Sequence, residues 1–210
     1  GKHHIGPEFQ FGRILGDATE APVLLIKTAW GGKSLFVDFR PPSAGGETGP
    51  CYTQMLKEVR EALEAVSEDF PELKGRNLEI AGFVWFQGWN DAVGPPEARA
   101  EYEQNLVHLI HDVRREFALP NLPVVIGELG NGGEKAGEGI LAIRKAQAAA
   151  AARSEFEGRV AFVKTTSFAR PAEDSPNTGH GHHWFGNAES YFLIGDALGK
   201  AMLKLTGEVK

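Results

Sequence analysis

Short apolar runs alternate along the chain with longer stretches whose apolar positions recur every three or four residues. The runs Pro22–Lys27 (PVLLIK), Leu78–Phe86, Leu122–Ile126 and Val160–Lys164 have the length and composition of buried strands. The periodic stretches predict helices. Tyr52–Ser67 aligns Met55, Leu56, Val59, Leu63 and Val66 on one face, and Pro96–Phe117 aligns Tyr102, Leu106, Leu109, Ile110, Val113 and Phe117. Glu8–Gly16 reads as a short helix with Pro7 suited to its first turn, and Ile140–Arg153 as an Ala-rich one. Asn187–Leu205 closes the series with Tyr191, Ile194, Leu198, Met202 and Leu205 in register. Strands alternating with helices imply βα units joined by right-handed crossovers. The expected architecture is an α/β three-layer sandwich: a mostly parallel sheet, helices on both faces, one domain over residues 1–210.

Such a sheet gathers the carboxyl ends of its strands on one edge, where ligands bind in open α/β folds. Four loops are expected there: Trp30-Gly31-Gly32, Gln87–Asp91, Glu128–Gly133 and Thr165–His183. Gly31 and Gly32 allow close approach of backbone N–H groups to a ligand, or simply a tight turn. Gly32-Lys33-Ser34 resembles the end of a phosphate loop, but the required first glycine is Lys27, so that reading fails. In Gln87-Gly88-Trp89-Asn90-Asp91, Asp91 fits a helix cap, whereas Gln87 and Asn90 at the mouth of a buried strand do not. An Asn amide aimed at a developing oxyanion contributes about 3 kcal/mol in acyl-transfer enzymes.

His180-Gly181-His182-His183 is the densest imidazole cluster. A general base, a metal site and an exposed loop compete for it. Neighbouring side chains of an extended chain point opposite ways, and neither His-Glu-x-x-His nor a cysteine pair assists, so metal binding is the weaker reading. A histidine just ahead of a helix at the strand-end rim suits a general base. His108 and His111 fall on the polar face of their helix, and His3 and His4 in a loop. Trp30, Trp89 and Trp184 each neighbour a rim loop and are candidates to stack on sugar rings, whereas Trp85 belongs to the core.

Composition narrows the partners. A formal charge of −6 argues against nucleic acid and anionic membranes. A single cysteine, Cys51, cannot form an internal disulfide. No apolar run approaches the roughly 20 residues that span a bilayer.

The chain resembles the SGNH-superfamily carbohydrate O-acetylesterases, the sialate O-acetylesterase-like group, over nearly its whole length. The resemblance rests on Gly6-Pro7-Glu8 with Phe11-Gly12, on Ile26–Ser34, on Gln87-Gly88-Trp89-Asn90-Asp91, on Arg144 with Gln147, and on His182-His183-Trp184 followed by Asn187-Ala188-Glu189 and Tyr191 to Gly195. It implies a flavodoxin-like SGNH fold and a serine-type mechanism without a cofactor or metal. The substrate would be an acetylated sugar, and the resemblance is consistent with a secreted or periplasmic setting. Carried over, Gly32 and Asn90 match the oxyanion-hole donors and His183 the general base. Trp30, Gln87, Trp89, Asp91 and Trp184 would line the substrate side. Two departures stand out. The family's nucleophile turn follows a first strand upstream of the Gly-Pro-Glu helix, so the expectation is a domain lacking that strand and its serine; Ser34 lacks the required elbow. The acid three residues before the histidine is also replaced, by His180, leaving either Glu173 or Asp174 to orient the imidazole from farther off, or a site that works as a dyad. The contrasting reading is a non-catalytic carbohydrate-binding module of the same fold.

Overall fold

The computed structural model describes residues 5–207. Three strands, β1 (Phe83–Trp85), β2 (Val124–Gly127) and β3 (Val160–Val163), form one sheet in the order β1-β2-β3, all parallel. Phe83 pairs with Val124 and Trp85 with Ile126, while Val124 pairs with Val160 and Gly127 with Val163. The period of two then sorts the strand residues cleanly. Phe83, Trp85, Val124, Ile126, Val160 and Phe162 point into one core, and Val84, Phe86, Val125, Ala161 and Val163 into the other.

Each core is closed by helices. On the first face lie α2 (Pro50–Asp69), α4 (Pro96–Glu116) and α5 (Glu138–Ala151), which contribute Met55, Tyr102, Leu106, Ile110, Ile143 and Ala150. On the second lie α1 (Glu8–Ala18) and α6 (Ala188–Thr206), which contribute Phe11, Ile194, Leu198 and Met202. A short helix, α3 (Trp89–Val93), follows β1 directly. The α/β fold with a parallel sheet and helices on both faces is the one expected from the sequence, and each long helix falls within a few residues of its predicted span. Asn187 caps α6 by accepting from Ser190 N at 3.1 Å.

The strand pattern needs one correction. Pro22–Lys27 is neither a buried strand nor part of the sheet: it carries no ladder, and Val23, Leu24 and Leu25 are 39%, 44% and 38% exposed. It runs instead beside α1, where Leu25 packs against Gly12 and Lys27 pairs with Glu8 at 2.7 Å. An apolar run becomes a buried strand only when a neighbour accepts its backbone hydrogen bonds, and among the described residues none does. The outer edge of β1 is likewise unladdered among the described residues. Leu78–Phe86 shortens for the same reason, with only Phe83–Trp85 paired.

Candidate active site

The carboxyl end of β1 is fixed from beneath. Trp85 Nε1 donates to Tyr102 Oη at 3.1 Å, and Tyr102 Oη donates to the Gln87 carbonyl at 2.7 Å. Gln147 Nε2 donates to the same carbonyl at 2.9 Å. A side chain at Gly88 would collide with Ile143, its Cβ falling 2.8 Å from Cγ2, so the chain presses on the core here.

From this base the Gln87–Asp91 stretch grips the Gly31–Phe36 turn. Gln87 Nε2 and Asn90 Nδ2 both donate to the Lys33 carbonyl, at 3.0 and 3.1 Å. Asp91 accepts from Leu35 N at 3.0 Å, Phe36 N at 2.9 Å and Gln87 Nε2 at 2.7 Å. Two of the predicted loops are thereby sewn together, with Asn90 bonded to Lys33, the residue after the exposed Gly32, whose φ is +73°. The assignment of Asp91 to the substrate side does not hold. It is 0% exposed, and its oxygens are occupied in holding the turn. Burial pushes its carboxyl up against the lowering effect of the Gln87, Leu35 and Phe36 donors.

Ser34 also serves the turn. Its hydroxyl donates to Asp38 Oδ2 at 3.1 Å and accepts from Val37 N at 3.2 Å, and Lys33 Nζ pairs with Asp38 at 3.0 Å. A serine–histidine pair lies apart from the rim: Ser43 Oγ is 3.0 Å from His108 Nδ1. Three nearby donors are engaged there, Ser43 N on Asp112, Ala44 N on Pro41 O and Gly45 N on Pro42 O, so none of these three is open to an oxyanion beside that hydroxyl. His111 lies 3.6 Å from Glu155 at the surface.

The histidine loop reaches the same rim. The Trp89 and His182 ring centroids are 5.6 Å apart, and those of His182 and His183 4.3 Å apart. His180, His182 and His183 are exposed, and Asn177 and His180 are hydrogen-bonded. Among the described residues no three His, Cys, Asp or Glu side chains converge in a metal-holding geometry. His3 and His4 lie outside the described residues. The loop backbone is unusual: Trp184 (φ 51°) and Phe185 (φ 53°) are left-handed, which non-glycine residues rarely adopt.

Trp184 is not a sugar platform either. It is 5% exposed, with its ring 6.4 Å from Phe86 in the second core. A large aromatic there anchors the loop by burial. Trp30 is half-buried, its ring 5.8 Å from Phe39, whereas the Trp89 ring faces His182. Asp174 is exposed, at the end of the Ala172–Asp174 turn. Its carbonyl accepts from Asn187 Nδ2 at 3.4 Å, which ties that turn to the start of α6.

Sequence reasoning left the third loop, after β2, without a role. Arg144 donates to three of its carbonyls: Leu129 at 2.8 Å, Asn131 at 3.0 Å and Gly133 at 3.0 Å. Glu128 accepts from Thr165 N, Thr166 N and Thr166 Oγ1 at 2.7–2.8 Å. Burial lowers the Arg144 pKa while Glu128 and Glu134 pull it back up. The strand-exit rule that singled out Gln87–Asp91 applies equally to Glu128 and Asn131. A cleft lined by Ile80, Leu119, Pro123, Arg159 and Leu205 lies at the opposite, amino-terminal edge of the sheet, away from every one of these groups.

A protein of Arabidopsis thaliana, known from an X-ray structure, shares the fold with a TM-score of 0.67 and 23% identity, over 95% of this chain and 68% of that one. No curated protein matches. The carbohydrate esterase family described as sialic acid-specific acetylesterase matches residues 2–204, nearly the full length. The chain is a member of that carbohydrate esterase family.

Proposed function

We propose that the chain forms most of a serine-type carbohydrate O-acetylesterase domain. The observation carrying this reading is the junction of three loops: Asn90 hydrogen-bonded to the Gly32-Lys33 turn on one side, and Trp89 against His182, next to His183, on the other. In this reading the Asn90 amide and the Gly32 N–H hold the tetrahedral oxyanion, and His183 takes the nucleophile's proton. Asp174 orients the imidazole, and Trp89 with Gln87 and Trp30 borders the sugar.

Ser34, held between Asp38 and Val37, is a turn residue in this account, and the nucleophile of this reading is the serine of the family's Gly-Gln-Ser-Asn-type turn, a motif that these 210 residues do not contain. The unladdered edge of β1 and the exposed Val23–Leu25 beside α1 suit the docking of one more strand, whose carboxyl end would reach the Asn90 rim. The chemistry is then acyl transfer. The serine attacks the acetyl carbonyl, the sugar oxygen leaves with the proton returned by His183, and water releases acetate in the second half.

A fluorophosphonate probe tests this on the 210-residue chain and on the same chain extended by the coding sequence upstream of Gly1. Labelling of the extended chain alone, with acetate release from an O-acetylated sugar that His183→Ala abolishes, is the expected result. Labelling of the 210-residue chain at Ser34 would overturn the assignment of the nucleophile. Silence of both chains, together with binding of the sugar, would replace the enzyme by a carbohydrate-binding module.

A further inference from the structure

We infer that Asn131 is a positioning residue that sets the histidine loop against the Asn90 rim; the inference rests on the esterase reading. Asn131 is 3% exposed and sits in the loop after β2. Its side-chain Nδ2 donates to the Gly181 carbonyl at 3.0 Å, one residue before His182 and two before His183. Its own carbonyl accepts from Arg144 Nη2 at 3.0 Å. The amide is thus held rigidly on one side and grips the imidazole-bearing segment on the other.

The grip matters because that segment needs outside support. Trp184 and Phe185 are left-handed without being glycine, and such a backbone persists only where surrounding contacts over-determine it. Asn177 N donates to the Phe185 carbonyl at 2.9 Å and Phe185 N to the His180 carbonyl at 3.0 Å, and three contacts are among those that add to them. Tyr191 Oη donates to the His183 carbonyl at 3.0 Å. The Trp184 ring seats over Gly130, where a Cβ would fall 2.6 Å from Cη2. Asn131 holds the entry at Gly181. Two of the three belong to the loop after β2.

That loop is itself referenced to the oxyanion side of the rim. Gln147, one turn after Arg144 on α5, accepts from Leu129 N at 2.8 Å and donates to the Gln87 carbonyl at 2.9 Å. One turn of α5 therefore fixes both the strand exit that bears Asn90 and the bracket that bears the histidines. A displacement of about 1 Å between a base and an oxyanion donor costs roughly a hundredfold in rate, so a buried bracket between them acts on turnover more than on binding.

The Asn131→Asp variant keeps the side-chain volume and removes the N–H donor. In the 210-residue chain, the His182 and His183 ring resonances are expected to shift, with a cooperative unfolding transition retained. Superposable resonances in the folded variant would overturn the inference. The wild-type chain supplies a second measurement that needs no variant: Asn131 Nδ2 protons are expected to exchange far more slowly than those of an exposed amide, and fast exchange would also overturn it. In an esterase-active extended chain, Asn131→Asp is expected to lower kcat roughly tenfold to a hundredfold with KM changed about twofold or less. Moved imidazole resonances together with an extended chain that shows no esterase activity would sink the proposed function and leave the bracket standing. Unmoved resonances in an active enzyme would do the reverse.

Discussion

Asp91 and Asp38 hold opposite ends of one turn, and their environments give them different consequences. Asp91 takes two backbone N–H groups, from Leu35 and Phe36, into a wholly buried carboxylate. Asp91→Ala leaves both donors without an acceptor, at about 1–3 kcal/mol each. A loss of about 3 kcal/mol, read from the urea midpoint, is expected, and a change below about 0.5 kcal/mol would contradict the burial argument. At Asp38, burial raises the pKa, but the Ser34 N–H, Lys33 and the Ser34 hydroxyl outweigh it and hold the carboxyl below its ordinary 3.8. A depressed folded-state value means that the unfolded chain binds the proton more tightly. The turn therefore gains stability from Asp38 above about pH 4 and loses it as the pH falls through the lower folded value. Asp38→Asn is expected to flatten that acid limb in a series of urea titrations from about pH 5 to about pH 2. An unchanged limb would remove Asp38 from the turn's energetics.

Between elements, the contact of α1 with α6 shows how much a missing side chain decides. Gly195 and Gly199 lie four residues apart, hence on one face of α6. A Cβ on Gly195 would fall 2.2 Å from the Pro7 carbonyl, and one on Gly199 2.8 Å from Ile14 Cβ. The small residues let the helices approach, and backbone cannot give way as a side chain can. Gly195→Ala is therefore expected to destabilise by about 2 kcal/mol, despite a helix-propensity gain of about 1 kcal/mol. Gly16, in α1, meets nothing within 4 Å of a built Cβ, so Gly16→Ala should stabilise by about 0.5–1 kcal/mol. Thermal midpoints moving in opposite directions would bear this out, and two shifts of the same sign would not. The helices themselves were legible because amphipathic periodicity is local. The crossing of α1 and α6 was not, since Gly195 and Gly199 gave no apolar signal.

Across the whole molecule, the sheet is strongest in its middle. β2 is laddered on both sides, and Val124, Val125 and Ile126 are 0% exposed. Hydrogen exchange should be slowest at residues 124–127 and fast at residues 23–26, which have solvent access and no ladder. Slow exchange at residues 23–26 in the 210-residue chain would put a hidden pairing there. Slowing that appears only in the chain extended upstream would support docking of a further strand. Apolar composition made Pro22–Lys27 look like a core strand because hydropathy records what a segment prefers to bury. It does not record whether a partner lies beside it.

Local patterning settled the α/β class, the helix spans and the loops worth watching, because each depends on neighbours within a few residues. Folding in three dimensions decided the division of labour inside those loops. Asp91 and Trp184 turned out to be supports because their surroundings close over them, while Trp89 stays at the rim beside His182. The bracket from Arg144 through Asn131 to Gly181 joins residues up to 50 positions apart. Hydrogen bonds over such separations depend on where the sheet and helices set the backbone, and no spacing along a chain encodes them.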